Sequence, residues 1–120
     1  MSAVEAQPVG AEPAVTAAYC NEVRLRGRMS APAESRALPS GDTVVTFRVI
    51  VERDTADRPR QRVDTIDCAA WTPHTQRSAR TWQPGDVVEV TGALRRRFRR
   101  GAAGPTSRVE VEVFRARRVR

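Results

Sequence analysis

The sequence predicts an all-β domain, a five-stranded Greek-key barrel with one short helix between its third and fourth strands. Three observations carry this expectation. Apolar and polar residues alternate with period 2 in five separate stretches after residue 18, the signature of half-buried strands. Only one segment carries helix start and stop signals, and Pro, Gly, Ser and Asp gather at the joints.

The first strand is expected over Tyr19–Arg28, with Val23, Leu25 and Gly27 on one face and Glu22, Arg24, Arg26 and Arg28 on the other. A loop follows, ending in the Pro39-Ser40-Gly41 turn. Thr43–Arg53 is the clearest strand, because its density of β-branched residues outweighs a helical reading. Residues 52–62 are charged and hold a Pro, so they read as a mobile hairpin loop. Val63–Trp71 returns as the third strand. Pro73–Gln83 is the helix, capped by Thr72 and stopped by Pro84-Gly85. Asp86–Phe98 is a long fourth strand, expected to bend or bulge at Gly92. Arg99–Ser107, with Gly101, Gly104 and Pro105, reads as a second mobile loop, and Arg108–Val119 is the last strand. Five strands with a helix in that gap is the order of an OB-fold barrel.

Residues 1–18 are a low-complexity mix of Ala, Pro, Val and Glu, expected to be a disordered tail ahead of a single domain over 19–120. All 21 basic residues of the 120 are Arg, which excludes a catalytic Lys, a Schiff base or a P-loop Lys. Phosphate recognition would have to run through guanidinium forks. The net charge of +7 is uneven: Met1–Glu22 has three acids and no base, so the remainder carries 21 Arg against 11 acids. Such a surplus suits a polyanion. The alternative is an Arg-rich proteome in which Arg replaces Lys on solvated faces.

Catalytic and metal chemistry find little support. One His and two Cys give no zinc-type spacing, and no cofactor or small-molecule substrate is expected. Cys20 and Cys68 each read as a small buried thiol, with a disulfide between them left open. His74 opens the helix, Asp64 and Asp67 fall on opposite strand faces, and no Ser or Thr has a basic partner to activate it. No membrane span or signal peptide is visible, so a soluble cytoplasmic, nucleoid-associated protein is expected.

Oligonucleotide-binding barrels combine a basic groove along the phosphates with rings on which bases stack. Six aromatics are available. Phe47 and Trp82 are assigned to the core. Trp71 shares a strand face with Thr65, Asp67 and Ala69, and Phe98 is embedded in five Arg, a poor place for a core ring and a good one for a base stacked beside phosphates. Arg26, Arg28, Arg48, Arg53, Arg62, Arg95, Arg97 and Arg99 are the groove candidates, with Arg58, Arg60 and Arg100 on the same loops. The alternative for Phe98 is packing on neighbouring Arg stems, and for the loop Arg a solvated charge run.

These residues carry a resemblance. Asn21-Glu22-Val23-Arg24-Leu25-Arg26-Gly27-Arg28 resembles the opening strand of bacterial single-stranded DNA-binding proteins, N-x-V-x-L-x-G-x. Pro39-Ser40-Gly41 with Val45, Thr46 and Phe47 is similar to the family's turn and following strand. Ile66–Trp71 resembles its third strand, and Gly85–Arg95 its G-x-x-V-x-V-x-G-x-L-x segment. The resemblance runs from Tyr19 to about Phe114. It implies an OB fold, no catalysis, single-stranded DNA as ligand, and a homotetramer or homodimer that pairs through first strands. By position Trp71 and Phe98 match or adjoin the family's stacking rings. Two further stacking sites fall near Arg53 and Thr65, where this chain has no ring; Arg53 is expected to compensate in part by guanidinium stacking. The acidic C-terminal tip typical of the family has no counterpart at Arg118-Val119-Arg120, which implies a shortened form.

The expected function is non-catalytic, sequence-tolerant binding of single-stranded DNA in replication, repair or recombination. The alternative is a protein-interaction adaptor on the same barrel, resembling primosomal paralogues and binding nucleic acid weakly. RNA or duplex binding is a third possibility.

Overall fold

A computed structural model describes residues 18–54 and 62–120. It contains six strands and one helix: β1 (Val23–Met29), β2 (Glu34–Ala37), β3 (Thr43–Glu52), β4 (Val63–Ala70), α1 (Pro73–Arg80), β5 (Val87–Gly101) and β6 (Gly104–Arg118). The expected tail lies, except for residue 18, outside the described residues, as do Arg58 and Arg60.

Five strands close into a ring. β1 pairs with β5, β5 with β6, β6 with β4 and β4 with β3, and β3 returns to β1 through Arg28 opposite Ile50 and Met29 opposite Val49. All contacts are antiparallel except β4–β6. This is the OB barrel expected from the sequence, with the helix between the third and fourth strands of the ring.

Closure needs backbones to approach without side chains between them. A Cβ on Gly27 would collide with the Ile50 carbonyl oxygen where β1 crosses to β3. A Cβ on Gly92 would collide with the Glu112 carbonyl oxygen, and the β5–β6 register shifts between Thr91 and Gly92, at the bulge the sequence placed there. Beyond the bulge the side-chain amide of Asn21 continues the β1–β5 ladder by one rung. It donates to the Leu94 carbonyl and accepts from the Leu94 N–H, both at 2.8 Å.

The core is built from inward residues of every ring strand, including Met29, Val45, Phe47, Val49, Cys68, Val88, Val90, Val111 and Val113. Trp82 plugs one end, 5 % exposed, with its ring edge-on to Phe47 at 5.3 Å between centroids. Ahead of it, Thr72 caps α1 by accepting from the Thr75 N–H, and Pro73 opens the helix where its missing N–H costs nothing. Buried Gln76 donates to the Thr43 and Ala70 carbonyls and so ties the helix to β3 and the end of β4.

The structure corrects three sequence expectations. The segment after β1 is not all loop: β2 pairs with Thr43–Thr46 of β3, turning through Gly41 at φ +96°. Its sequence, ESRA, is exposed at every position and shows no apolar alternation to read. Residues 99–107 are not a loop either. β5 and β6 stay paired to Gly101 opposite Gly104, and the chain reverses through two residues, with Gly104 at φ +108°. β4 reaches β6 only at Val111–Val113, so this arm projects as a two-stranded hairpin and Pro105 blocks no third partner. Finally, Cys20 is exposed rather than buried, because it precedes β1 and faces no core.

Candidate nucleic-acid interface

A cleft of about 900 Å³ lies between the outer faces of β2, β3 and β4 and the projecting β5–β6 arm. Strand register sets its floor. Arg48 opposes Asp67, Thr46 opposes Ala69, and Trp71 follows on the same face of the chain leaving β4. β2 supplies Glu34 and Arg36 on one side, and the arm supplies Arg97, Phe98, Arg108 and Glu110 on the other.

Trp71 is half-buried, and the Arg97 guanidinium carbon stands 5.3 Å from its ring centroid. The indole Nε1 is shut off from solvent and has no hydrogen-bond partner among the described residues. Arg97 is held over the ring by Glu110, 3.0 Å from its Nε, and by Glu112 at 3.9 Å. Phe98 is 76 % exposed. As the next residue on β5 it alternates to the other side of that strand from Arg97, the side that also carries exposed Leu94. Trp71 and Phe98 both line the cleft, Phe98 from a β5 position that alternates away from Arg97.

Charge in the cleft is more balanced than the sequence suggests. Arg48 donates from Nε to Asp67 at 2.9 Å, and Arg108 approaches the other Asp67 oxygen at 3.9 Å. Four lining arginines, Arg36, Arg48, Arg97 and Arg108, face three carboxylates, Glu34, Asp67 and Glu110. Arg36 has no ion pair among the described residues. Sequence reasoning missed Arg36, which lies in the unrecognised β2. It also passed over Arg108, although the parity of β6 places that residue on the face of Glu110.

The remaining candidates lie elsewhere. Arg95 stands next to Arg97 on the outer face of β5, with its Nε 2.8 Å from Glu112. Arg53 grips both oxygens of Asp64 at 3.0 and 2.8 Å at the end of the β3–β4 hairpin, a fork that holds the Asp64 carboxyl below its usual range. Arg62 is exposed beside it, its carbonyl accepting from the Arg53 N–H. Arg99 continues β5 opposite Thr106. Arg26 and Arg28 sit on β1, outside the cleft, with carboxylate partners Glu89 and Glu52. Among the described residues no group of three or more His, Cys, Asp or Glu could hold a metal, and no helix is long and apolar enough to cross a membrane.

Comparison with known proteins places these features in context. The family described as "Single-strand binding protein family" matches residues 20–118. "Single-stranded DNA-binding protein 1" of Streptococcus agalactiae is 35% identical over 78 residues, 64% of this chain and 48% of that protein. "Single-stranded DNA-binding protein" of Bacillus cereus is 32% identical over 85 residues, 70% of this chain and 50% of that protein. The chain spans about half the length of these curated relatives. A solved structure described as "Plasmodium falciparum SSB complex with ssDNA" superposes with a TM-score of 0.70 at 19% identity, covering 85% of this chain and 95% of that one.

Proposed function

Because the chain belongs to the single-strand binding protein family, we propose that it is a non-catalytic binder of single-stranded DNA acting in replication, repair or recombination. The observation that carries the reading is the Trp71–Arg97 pair in an arginine-lined cleft, with exposed Phe98 on the same arm. An indole and a planar guanidinium offer faces to any base, and the neighbouring arginines offer donors to phosphate, so the contact is tolerant of sequence. Residues 19–120 form the binding domain. Trp71 and Phe98 stack bases, Arg48 and Arg97 follow the phosphates through the cleft, and Arg53, Arg62, Arg95 and Arg99 extend the track along the two hairpins.

A second copy of the chain pairs through β1. Among the described residues, positions 23–27 of that strand have a ladder partner only in β5, which leaves the opposite backbone edge without one. The chain works in the cytoplasm, at the nucleoid.

A titration of labelled oligo-dT, a matched duplex and a matched RNA against the full chain at low salt tests this reading. The expected result is preferential binding of oligo-dT that weakens steeply with salt, log K falling by about 0.7 per log unit of salt for each phosphate neutralised. Absence of oligo-dT binding at low salt, with retention of protein partners after nuclease treatment, would favour the adaptor reading instead.

A further inference from the structure

The indole of the cleft is covered before any strand arrives. The Arg97 guanidinium carbon lies 5.3 Å from the centroid of the Trp71 ring. Both side chains line the cleft and Trp71 is otherwise half-buried, so the guanidinium stands over the part of the ring turned to the cleft. A stacked base needs the same few ångströms above the ring, and the two cannot share that space.

A single carboxylate is the main anchor of this cover. Glu110, 14 % exposed along its side chain, accepts from Arg97 Nε at 3.0 Å. Glu112 stands 3.9 Å from Arg97 Nη2 but accepts from Arg95 at 2.8 Å, so its stronger partner is Arg95. The ring itself holds the guanidinium weakly. Arg97 is 42 % exposed, and a cation–ring contact within reach of water is worth less than a stacked base. The indole gains little from its present seat either. Its buried Nε1 has no hydrogen-bond partner among the described residues, and an N–H shut off from water without a partner is held at a cost.

The register offers the guanidinium a second position. Arg97 stands directly opposite Arg108 across β5 and β6, and both line the cleft. Like charges placed so repel, and an anion between them removes the repulsion. Arg108 is itself loosely held, 3.9 Å from Asp67 Oδ2.

Resting on the reading above, we propose that Arg97 is a displaceable cover on the Trp71 face. An entering base takes that face, and the guanidinium leaves it for a phosphate shared with Arg108. Glu110 is a positioning residue: it sets how readily the exchange occurs and touches neither base nor phosphate. Arg97 therefore opposes stacking while it favours phosphate contact, and a strand without charge separates the two effects.

The test titrates wild type, Arg97→Ala and Glu110→Gln with two probes of about 8 nucleotides, within the site of one barrel. One is oligo-dT and the other is the same oligomer on an uncharged methylphosphonate backbone; quenching of indole fluorescence reads both, and a thermal melt of each variant accompanies them. Arg97→Ala is expected to bind the uncharged probe more tightly than wild type by about two- to fivefold, the worth of an exposed cation–ring contact. With oligo-dT the same variant binds more weakly at low salt, and its salt slope is shallower by about 0.7, one phosphate contact. Glu110→Gln binds both probes more tightly than wild type, because the cover has lost its anchor.

Uncharged-probe binding by Arg97→Ala that is no tighter than that of wild type overturns the inference, since the guanidinium is then a lasting partner of the base and not a cover. An unchanged oligo-dT salt slope in Arg97→Ala overturns the transfer to phosphate. Weaker or unchanged binding by Glu110→Gln overturns the role of that carboxylate. In each of these cases oligo-dT still quenches wild type and the cleft reading stands. Failure of oligo-dT to quench wild type at low salt removes that reading and the inference with it.

Discussion

Arg97 and Trp71 form a cation–ring pair between the projecting arm and the end of β4, with 5.3 Å separating the guanidinium carbon from the indole centroid. The arginine is fixed from behind by Glu110 and Glu112, so the ring and the fork are presented together. On the proposed reading, a base entering the cleft meets two flat partners already in place.

Trp71→Ala is expected to weaken oligo-dT binding by about 1–3 kcal/mol, the worth of one stacked base. Its cost in stability combines the cation–ring contact with the packing of the half-buried part of the indole, and stays below the ~3–5 kcal/mol of a core Trp. Phe98→Ala is expected to weaken binding on the same scale with no change in Tm, because the ring is exposed and supports nothing. Anisotropy titration beside a thermal melt of each variant checks both.

On the proposed reading, Asp67 works against phosphate binding. It holds Arg48 at 2.9 Å and draws in Arg108 at 3.9 Å, so a phosphate must compete with a carboxylate for both. Asp67→Asn is expected to tighten oligo-dT binding and to steepen its salt dependence by up to about 0.7 for each arginine released. Unchanged or weaker binding by this variant would place both arginines outside the DNA track.

Most of the barrel was legible because its strands are half-buried: in β1, β3, β4 and β5 the alternation of Val, Leu, Ile and Phe with Arg, Thr and Asp reports one wet and one dry face. β2 carries no such contrast, since it is held by pairing with β3 and all four residues are exposed. The arm was misread because Gly101, Gly104 and Pro105 signal a loop equally well when they frame a two-residue reversal. Phe98 is legible as a ring among five Arg, and Trp71 by the strand parity it shares with Thr65, Asp67 and Ala69. The carboxylates that share those Arg come from partner strands, Glu110 and Glu112 on β6 and Asp67 on β4, and only the register brings them together.

Trp82 and Gly27 separate stability from binding. Trp82→Ala removes the plug against Phe47 and is expected to cost about 3–5 kcal/mol. Gly27→Ala forces a Cβ onto the Ile50 carbonyl at the barrel seam and is expected to cost at least about 2 kcal/mol, since backbone must move. Denaturant unfolding measures both. The fraction that stays folded should bind oligo-dT as wild type does.

The two thiols should behave oppositely. Burial, aided by the charges of Asp67 and Glu110, pushes Cys68 up to about 12, whereas Cys20 is exposed. Because the folded pKa lies above that of a free thiol, Cys68 contributes its full share of stability below pH about 8.5. That share is lost progressively as pH rises toward 12, when the unfolded chain ionises first. Under native conditions a thiol reagent is expected to label Cys20 rapidly and Cys68 only on unfolding. Mass spectrometry of the labelled chain, with denaturant midpoints across that pH range, checks both statements.

The most direct measurement of the central claim is tryptophan fluorescence during titration with oligo-dT at low salt, in wild type and in Trp71→Phe. With Trp82 buried in the barrel, Trp71 is the indole within reach of a strand in the cleft. The account expects saturable quenching in wild type, reversed by added salt, and its near-complete loss in Trp71→Phe. Binding that leaves wild-type fluorescence unchanged, or quenching that survives in Trp71→Phe, would contradict it.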